Sequence, residues 1–526
     1  MGKKLQDANK VEGVWNPDLG NGTYQNPIIH ADYSDPDVIR VGEDFFMVAS
    51  SFNMSPCLPV LHSKDLINWE IINHVSRTFP YPRYEMPQHG DGVWAPSIRY
   101  HDGYYWVFFG APDEGIFMSK TKDPFGEWTP FHLVKQVKGW IDPCPFWDED
   151  GNAYLVHAFA KSRIGFKSML QIIKMKADGT KLIGEGAIVF DGSINHPTIE
   201  GPKMHKRNGY YYIFAPAGGV ATGWQTVLRS KDIFGPYEDK IVLAQGDTDI
   251  NGPHQGAWVE LENNESWFIH FQDKEAYGRI AHLQPMGWKD DWPWMGNDPH
   301  SKGVGEPVKR WKKPSVGKSN SPRVPQTSDE FNKVELGLQW QWKANWRDEW
   351  FSLKARQGWL RLYPAKKETF IHHQPNVLTQ KLPAETFSVT IKFDFRAASH
   401  GEAFGFLLCG KKYEGLLLTK KHEGYSLSSL TNEKQEDGIL LKEGSGYFRI
   451  EVKGRAVCRF AFSIDGNDFS WIKSEVKALP GRWVGAQIGM YCVSEKDGDG
   501  YVDIDWIRFE PLHYTKREEI LNEKTI

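Results

Sequence analysis

Three acidic residues in the first half of the chain, Asp35, Asp142 and Glu200, each stand within two residues of a proline in similar local contexts. Glycoside hydrolysis uses two carboxyl groups: one protonates the leaving oxygen, and the other, ionised, activates water or attacks directly. A third carboxylate beside the acid opposes its ionisation and helps it to keep a proton. On this chemistry we assign Glu200 as general acid, Asp35 as general base and Asp142 as the third member.

A single acid beside a proline is usually only a turn, so the assignment depends on a repeat. Five times, an Asp or Asn turn precedes an aromatic strand, and these turns lie 58, 48, 58 and 55 residues apart at Asp44, Asp102, Asp150, Asn208 and Asn263. Such turns favour β-hairpins, and the flanking aromatic and β-branched residues favour strands. Five β units of this length predict a five-bladed β-propeller rather than a sandwich or a β-helix.

One special residue lies shortly before the hairpin turn of each unit, on what would be the innermost strand of a blade. These residues are Asp35, Trp94, Asp142, Glu200 and His254. Innermost strands surround the central channel, so we expect the five side chains to meet in one funnel, with the three acids at equivalent positions of their repeats.

The pattern changes after residue 300. Residues 301–328 are rich in Pro, Gly, Ser and Lys and are predicted to be a linker. Residues 329–513 carry short alternating strands without the repeat, which indicates a jelly-roll, concanavalin A-like β-sandwich. Residues 514–526 form a charged tail. The predicted fold is therefore all-β, with a catalytic propeller over residues 20–300 and a C-terminal sandwich.

The motifs of the first half resemble those of glycoside hydrolase family 43, in its β-xylosidase and α-L-arabinofuranosidase branch. The resemblance implies a five-bladed propeller that inverts anomeric configuration, with Asp35 as the base that activates water, Glu200 as the acid and Asp142 as pKa modulator and orienter. It also implies a sandwich that packs on the propeller and helps to close the pocket. The matching elements are Asn26-Pro27-Ile28, Ser34-Asp35-Pro36-Asp37, Val93-Trp94-Ala95-Pro96-Ser97, Ile141-Asp142-Pro143, Thr198-Ile199-Glu200-Gly201-Pro202, Gly278-Arg279 and His282-Leu283-Gln284-Pro285.

Further substrate-binding residues follow from the resemblance. Arg279 is expected to contact substrate hydroxyls and to help keep Asp35 ionised, although a structural salt bridge is the alternative. Phe52 and Trp94 would form the apolar wall of a sugar subsite, with core packing as the rival for Trp94. His254 would bind substrate or face a central cation, or else would be an ordinary core histidine.

The chemistry needs no metal, and a calcium ion would be structural or electrostatic. Besides His254, the sandwich acids Asp329, Glu330 and Asp505 are candidates for a calcium site.

Asp37 departs from the family pattern and competes with Asp35 as the base. We prefer Asp35, because strand alternation after Pro36 should send the two carboxylates in different directions.

Composition restricts the partners. The net charge is −4, which gives no electrostatic reason for binding nucleic acid or an anionic membrane, and no stretch of 18 apolar residues predicts a membrane span. The 22 tryptophans suit a protein that stacks on sugar rings, but β-rich cores also use aromatics heavily. Five scattered cysteines and the polar first residues, in which we see no signal peptide, predict a cytoplasmic protein with reduced thiols.

The leading hypothesis is an exo-acting glycosidase that releases terminal β-1,4-linked xylose, α-L-arabinofuranose or both from xylan-derived oligosaccharides. An endo-arabinanase is the rival enzyme, and a non-catalytic carbohydrate-binding propeller is the rival from another class. The sequence leaves the choice of sugar open. A homo-oligomer is also open, since the sandwich could supply an assembly surface.

Overall fold

The structure, a computed structural model, describes residues 13–317, 321–436, 438–496 and 498–512. The tail predicted at 514–526 lies outside these residues. The strands of the first part are β1 (Thr23–Gln25), β2 (Asp37–Val41), β3 (Asp44–Val48), β4 (Cys57–Ser63), β5 (Trp69–Ser76), β6 (Trp94–His101), β7 (Tyr104–Ala111), β8 (Gly115–Thr121), β9 (His132–Gln136), β10 (Trp140–Trp147), β11 (Ala153–Phe159), β12 (Met169–Met175), β13 (Leu182–Asp191), β14 (Lys203–Arg207), β15 (Tyr210–Ala217), β16 (Trp224–Ser230), β17 (Glu238–Ala244), β18 (His254–Glu260), β19 (Ser266–Asp273), β20 (Arg279–Lys289), β21 (Trp292–Met295) and β22 (Arg310–Lys312).

Strands β2 to β21 form five four-stranded antiparallel sheets, each built from consecutive strands, and these are the five blades of a β-propeller. Around the central axis β6 lies between β2 and β10, β10 also contacts β14, and β18 contacts β2 on one side and β15 of the fourth blade on the other. The propeller and its five repeats are therefore as predicted, and the candidate residues lie at or near the start of the first strand of each blade.

Alternation along the aromatic strands builds the core between blades. On β7, Val107 and Phe109 pack toward the first blade, whereas Trp106 and Phe108 pack toward the third. A buried apolar cluster of this kind fills each of the five gaps, including the gap between the fifth blade and the first. This packing holds the first strands in fixed positions around the axis.

The N-terminal segment is attached to the fifth blade and helps to close the ring. Asn26 donates its side-chain amide to the carbonyls of Leu283 and Val308, at 2.8 and 2.7 Å, and accepts the Leu283 N–H at 2.8 Å. Strand β22 pairs with β1. The segment predicted as a linker at 301–328 is thus partly a strand held against the propeller.

The second part is a two-sheet sandwich. The strands are β23 (Gln341–Trp342), β24 (Phe351–Ser352), β25 (Leu360–Leu362), β26 (Ala365–Lys366), β27 (Leu378–Lys381), β28 (Phe387–Arg396), β29 (Ala403–Cys409), β30 (Tyr413–Lys420), β31 (Tyr425–Thr431), β32 (Lys434–Gln435), β33 (Ile439–Leu441), β34 (Ser445–Lys453), β35 (Val457–Ser463), β36 (Ser470–Lys477), β37 (Gln487–Ser494) and β38 (Tyr501–Glu510). One sheet has the order β23-β27-β37-β29-β30-β31-β32, with β26 beside β37 and β33 beside β31, and the other has the order β24-β25-β38-β28-β34-β35-β36.

Helix is scarce in the described ranges. One turn of α-helix, α1, covers Lys161–Ile164, and the remaining helical segments are short 3₁₀ turns at Pro82–Glu85, Glu275–Tyr277, Asp348–Trp350, Ile371–His373 and Gly454–Ala456. None of these segments has the length and apolar character needed to cross a membrane.

The sandwich packs directly on the propeller. Ser55 exchanges two backbone hydrogen bonds with Trp342, and Tyr277 lies in the sandwich core. The Gly485 N–H donates to the Asp32 carboxylate at 2.8 Å. A Cβ at Gly485 would lie 2.7 Å from the Gly278 nitrogen, so only glycine allows the two backbones to approach this closely.

The ring closure predicts a stability effect for Asn26. Asn26→Ala removes three hydrogen bonds and takes the side-chain partner from the Leu283 N–H and the Val308 carbonyl, whereas the Leu283 carbonyl keeps the Tyr24 hydroxyl. The free energy of unfolding should fall by roughly 1–3 kcal/mol. For a domain of this size the melting temperature should fall by about 2–4 °C for each kcal/mol. Differential scanning calorimetry measures the change, with exposed Asn332→Ala as control; equal melting temperatures for the two variants would contradict the role of Asn26.

Candidate active site

A shared backbone feature opens the first strand of each blade. Asp35, Ala95, Asp142, Gly201 and Gln255 all have positive φ, at 56°, 22°, 57°, 57° and 29°. In four of the five blades a proline follows directly. Asp tolerates this left-handed region better than most residues, and Gly tolerates it freely.

The strand pairing is irregular at the same place. The register shifts between Trp94 and Ser97 on β6, between Ile141 and Cys144 on β10, and between His254 and Gly256 on β18. Bulges of this kind re-aim side chains, and here they lie where the first strands meet the mouth of the channel.

The three acids occupy two register positions rather than one. Asp35 and Asp142 are themselves the left-handed residues, whereas Glu200 precedes its left-handed residue Gly201. The expectation of equivalent positions is therefore wrong by one residue for Glu200, which aligns with Trp94 and His254. The physical reason is that Gly201, not the acid, takes the left-handed conformation.

Asp35 is buried and surrounded by donors. Its Oδ2 accepts the hydroxyls of Ser34 at 2.7 Å and Ser50 at 2.6 Å, and Arg279 Nη1 lies 3.2 Å from its Oδ1. Arg279 also donates to Ser34 at 2.7 Å, and the Ala95 N–H donates to Ser50 at 2.8 Å. Every partner donates, which suits a carboxylate that acts only as acceptor.

Glu200 is the most accessible of the three acids. Its side chain is 23% exposed, against 6% for that of Asp35. His254 Nε2 lies 3.3 Å from Glu200 Oε1, although neither nitrogen of this buried ring has an aligned hydrogen-bond partner among the described residues. His254 therefore stands beside the predicted acid.

The surroundings of Asp142 disfavour its ionised form. Its Oδ2 accepts the Gly201 N–H at 2.8 Å and the Gln255 amide at 3.2 Å. Burial, followed by repulsion from Glu200 and Asp35, raises the pKa of Asp142 well above its usual value. Both other acids thus act on Asp142, so the fold brings the three predicted carboxylates together.

Asp37 points away from this group. Its Oδ2 accepts hydrogen bonds from the Ile98 N–H at 2.8 Å and from Arg99 Nη1 at 2.7 Å, and the buried Lys203 ammonium lies 3.9 Å away. Lys203 also donates to the Pro96 carbonyl and the Ser97 hydroxyl. Asp37 therefore belongs to a buried charge cluster with cations, separate from the partners of Asp35.

An aromatic wall borders the acids. Phe52 is buried and meets Trp94 edge-on at 6.4 Å, and Trp94 meets Trp483 edge-on at 6.4 Å. Trp483 comes from the sandwich loop 480–484, is 43% exposed, and lies 5.9 Å from the Arg279 guanidinium. The loop and Arg279, with Asp273, line a pocket of about 250 Å³.

Sequence reasoning missed several of these groups. Ser50 and Gln255 hold Asp35 and Asp142, yet an isolated Ser or Gln in a strand carries no signal. The sandwich loop of Trp483 approaches the propeller only through tertiary packing, which no local pattern predicts. Asp273 lies opposite Arg279 in the strand pairing, and burial raises its pKa; only the exact register would have indicated it.

The calcium candidates are placed differently from one another. Calcium takes six to eight oxygen ligands, whereas His254 offers nitrogen and stands beside one carboxylate; the described side chains there do not make such a cage. In the sandwich, Asp329 accepts Trp340 Nε1 at 3.0 Å, Asp505 pairs with Lys392 at 2.7 Å, and Glu330 pairs with Arg508. These three acids already have protein partners. A structural calcium ion stays a prediction.

One group of three metal-competent side chains occurs among the described residues: Asp247, His300 and Glu306. Asp247 and His300 are exposed, and this surface group is separate from the three acids of the funnel.

Comparison with known proteins agrees with the geometry. Residues 24–293 match the family described as glycosyl hydrolases family 43, and residues 328–510 match the beta xylosidase C-terminal concanavalin A-like domain.

Three relatives align along most of their length. A protein of Xylanibacter ruminicola is 42% identical over 483 residues, which cover 90% of this chain and 86% of the relative. The beta-xylosidase of Formosa agariphila is 31% identical, covering 96% and 93%. A non-reducing end alpha-L-arabinofuranosidase of Bacteroides ovatus is 28% identical, covering 95% and 97%.

The propeller, the buried acid cluster at its centre and the matched sandwich lead to one assignment: the chain belongs to glycosyl hydrolases family 43 and is a glycosidase.

Proposed function

We propose that the protein is an exo-acting, inverting glycosidase that removes terminal xylose, arabinofuranose or both from the ends of xylan-derived oligosaccharides. The observation that carries the proposal is that the three carboxylates have different neighbouring groups. Asp35 is surrounded by donors and a guanidinium, Asp142 is buried against backbone and amide groups, and Glu200 faces the solvent.

These environments support distinct roles. Asp35, an acceptor on all sides, takes a proton from a water molecule, whose oxygen then attacks the anomeric carbon. Glu200, at the accessible edge, gives its proton to the glycosidic oxygen as the bond breaks. Proton donation and acceptance by two separate groups on opposite faces of the sugar is the inverting reaction, which needs roughly 6.5–9.5 Å between the carboxyl groups.

The role that we propose for Asp142 is both electrostatic and structural. Burial, followed by repulsion from Glu200 and Asp35, raises the pKa of Asp142, so the ionised form of this carboxyl is disfavoured next to the acid. The Gly201 N–H, which directly follows Glu200, donates to Asp142, so Asp142 also fixes the backbone that carries the acid.

The sandwich loop favours attack at chain ends. Trp483 stands over the pocket beside Arg279 and Trp94, where a continuous polymer would have to pass in an endo-acting enzyme. The names of the relatives from Formosa agariphila and Bacteroides ovatus support xylose and arabinofuranose as the sugars. Initial rates on aryl β-xyloside and aryl α-L-arabinofuranoside decide between the two.

Variants of the acid and the base should respond differently to the leaving group. Glu200→Gln should lower kcat on xylobiose by roughly 10²–10⁴-fold, yet much less on a dinitrophenyl glycoside, whose leaving group needs no proton. Asp35→Asn should lower kcat on both by a similar factor, because both need activated water. Steady-state kinetics on the two substrates measures the contrast.

The exposed Glu185→Gln is the control and should keep full activity. Near wild-type turnover by Glu200→Gln or Asp35→Asn on xylobiose contradicts the roles. A first-formed anomer with retained configuration, followed by NMR, would instead make Asp35 a nucleophile.

Asp142→Asn should stabilise the protein while it lowers activity. The pKa of Asp142 is raised in the folded state above the ordinary 3.8, so the folded state binds more protons than the unfolded state above that pH. Stability contributed by this group therefore falls as pH rises through the window above 3.8. Asn keeps an acceptor for the Gly201 N–H and has no charge to bury.

The melting temperature of Asp142→Asn should consequently exceed that of the wild type by a margin that grows between pH 4 and pH 7. Differential scanning fluorimetry across this range measures it. A margin that is constant or shrinks with pH is incompatible with a raised pKa.

Trp483→Ala should raise KM for xylobiose by roughly 10-fold, since about 1.4 kcal/mol of aromatic contact with the sugar is lost. Trp471 offers a matched control in the same domain, because it is 44% exposed, close to the 43% of Trp483. Trp471→Ala should leave KM unchanged. If both variants have the same KM, Trp483 does not contact the substrate.

A further inference from the structure

A second cavity, of about 340 Å³, lies between the propeller and the sandwich. This volume falls in the range of roughly 300–1,000 Å³ that is typical of small-molecule sites. The propeller contributes Asn53, Met54, His89 and Gly90, and the sandwich contributes the remaining lining, including Lys343, Lys411 and Arg482.

The lining is cationic. Its positive charge comes from three lysine or arginine side chains, and its described lining contains neither Asp nor Glu. Two histidines, His89 and His372, also line the cavity, but burial lowers the pKa of His89 to about 4, so His89 adds no charge near neutral pH. Lys343 is only 4% exposed, and its ammonium donates to the Gln487 side chain. Burial of such a charge is costly unless an opposite charge compensates it.

The protein supplies little compensation within the described chain. No carboxylate oxygen there lies within 4.0 Å of the charged nitrogens of Lys343, Lys411 or Arg482. Burial lowers the pKa of Lys343, and Asp32 opposes this only from a distance, because its two oxygens accept the backbone N–H groups of Arg279 and Gly485. The cavity therefore keeps an excess of positive charge.

The cavity adjoins the aromatic wall of the active site. Asn53 follows Phe52 in the chain, and the Gly90 carbonyl accepts the Trp94 indole N–H at 2.9 Å. The sandwich loop 480–484 lines both the cavity and the pocket of Arg279, with Arg482 next to Trp483. A ligand here would lie beside a bound sugar, on the other side of this loop.

We propose that this cavity is a binding site for a small carboxylate anion of about monosaccharide size, such as a uronic acid. Arg482 and Lys411 at the opening receive the carboxylate, because guanidinium and ammonium groups form charge-assisted hydrogen bonds with it. Lys343 supplies the buried charge behind them. His89 Nε2 and the Asn53 amide nitrogen are held by the carbonyls of His372 and Lys343, which leaves His89 Nδ1 and Asn53 Oδ1 for the hydroxyls of the ring.

Isothermal titration calorimetry of the full chain tests the proposal with sodium D-glucuronate and with D-glucose as the neutral match, at constant ionic strength. Glucuronate should bind at least tenfold more tightly than glucose. Arg482→Gln and Lys343→Met should each weaken glucuronate binding at least fivefold. Arg482 is exposed, so its variant remains informative if Lys343→Met fails to fold.

Lys412→Gln is the matched control, because Lys412 is an exposed neighbour that does not line the cavity. It should change glucuronate affinity by less than twofold. Three outcomes overturn the proposal: no measurable binding of glucuronate, equal binding of glucose, or undiminished binding by Arg482→Gln. Calorimetry needs no turnover, so these outcomes are distinguishable from a failure of the proposed glycosidase reaction.

A second arm identifies the source of the carboxylate. KM is compared for a xylo-oligosaccharide and for the same oligosaccharide carrying a glucuronic acid side group, in the wild type and in Arg482→Gln. A lower KM for the acidic substrate that is lost in the variant shows that the carboxylate belongs to the substrate. Calorimetric binding of free glucuronate without a KM difference shows a separate ligand, and both results support the site.

Discussion

Like-charge repulsion among Asp35, Asp142 and Glu200 is the constraint around which the centre of the propeller is arranged. A different set of groups offsets this repulsion at each acid. Asp35 has a guanidinium and two hydroxyls, Asp142 has a backbone N–H and an amide, and Glu200 has access to solvent. Because these partners are not interchangeable, the roles of the acids are not interchangeable either. The repulsion is offset least at Asp142, whose pKa is raised. The packing of the five blades keeps this carboxyl in place despite the unfavourable free energy of its ionised form.

The backbone provides the second half of this arrangement. Left-handed residues at the start of the first strands turn Asp35 and Asp142 toward the axis and place Gly201 so that its N–H reaches Asp142. Such conformations cost energy in non-glycine residues, of order 1–3 kcal/mol in sparsely populated regions. They persist because the apolar clusters between blades fix both sides of each first strand.

The sequence allowed prediction wherever the signal was local. Turn spacing predicted five blades, and short motifs beside prolines predicted Asp35, Asp142 and Glu200. These predictions were possible because residues at corresponding positions of the repeats lie at similar distances from the propeller axis. The strand register was harder to predict. The one-residue offset of Glu200 depends on which residue has the left-handed backbone conformation, and Gly201 takes this conformation only in the folded blade. Contacts between the two domains could not be predicted from the sequence. Trp483 lies nearly four hundred residues from Trp94 in the chain, and nothing in the pattern around either residue points to the other.

One buried carboxylate links the two domains to the chemistry. Asp32 accepts the Arg279 N–H with one oxygen and the Gly485 N–H with the other, both at 2.8 Å. Arg279 holds Asp35, and Gly485 directly follows the loop that carries Trp483, so the positions of Asp35 and of the aromatic wall depend on the same carboxylate. Without the sandwich, Asp32 would lose a donor and Tyr277 would lose its apolar surroundings, both next to Arg279. The sandwich is therefore a structural part of the active site rather than an appended module.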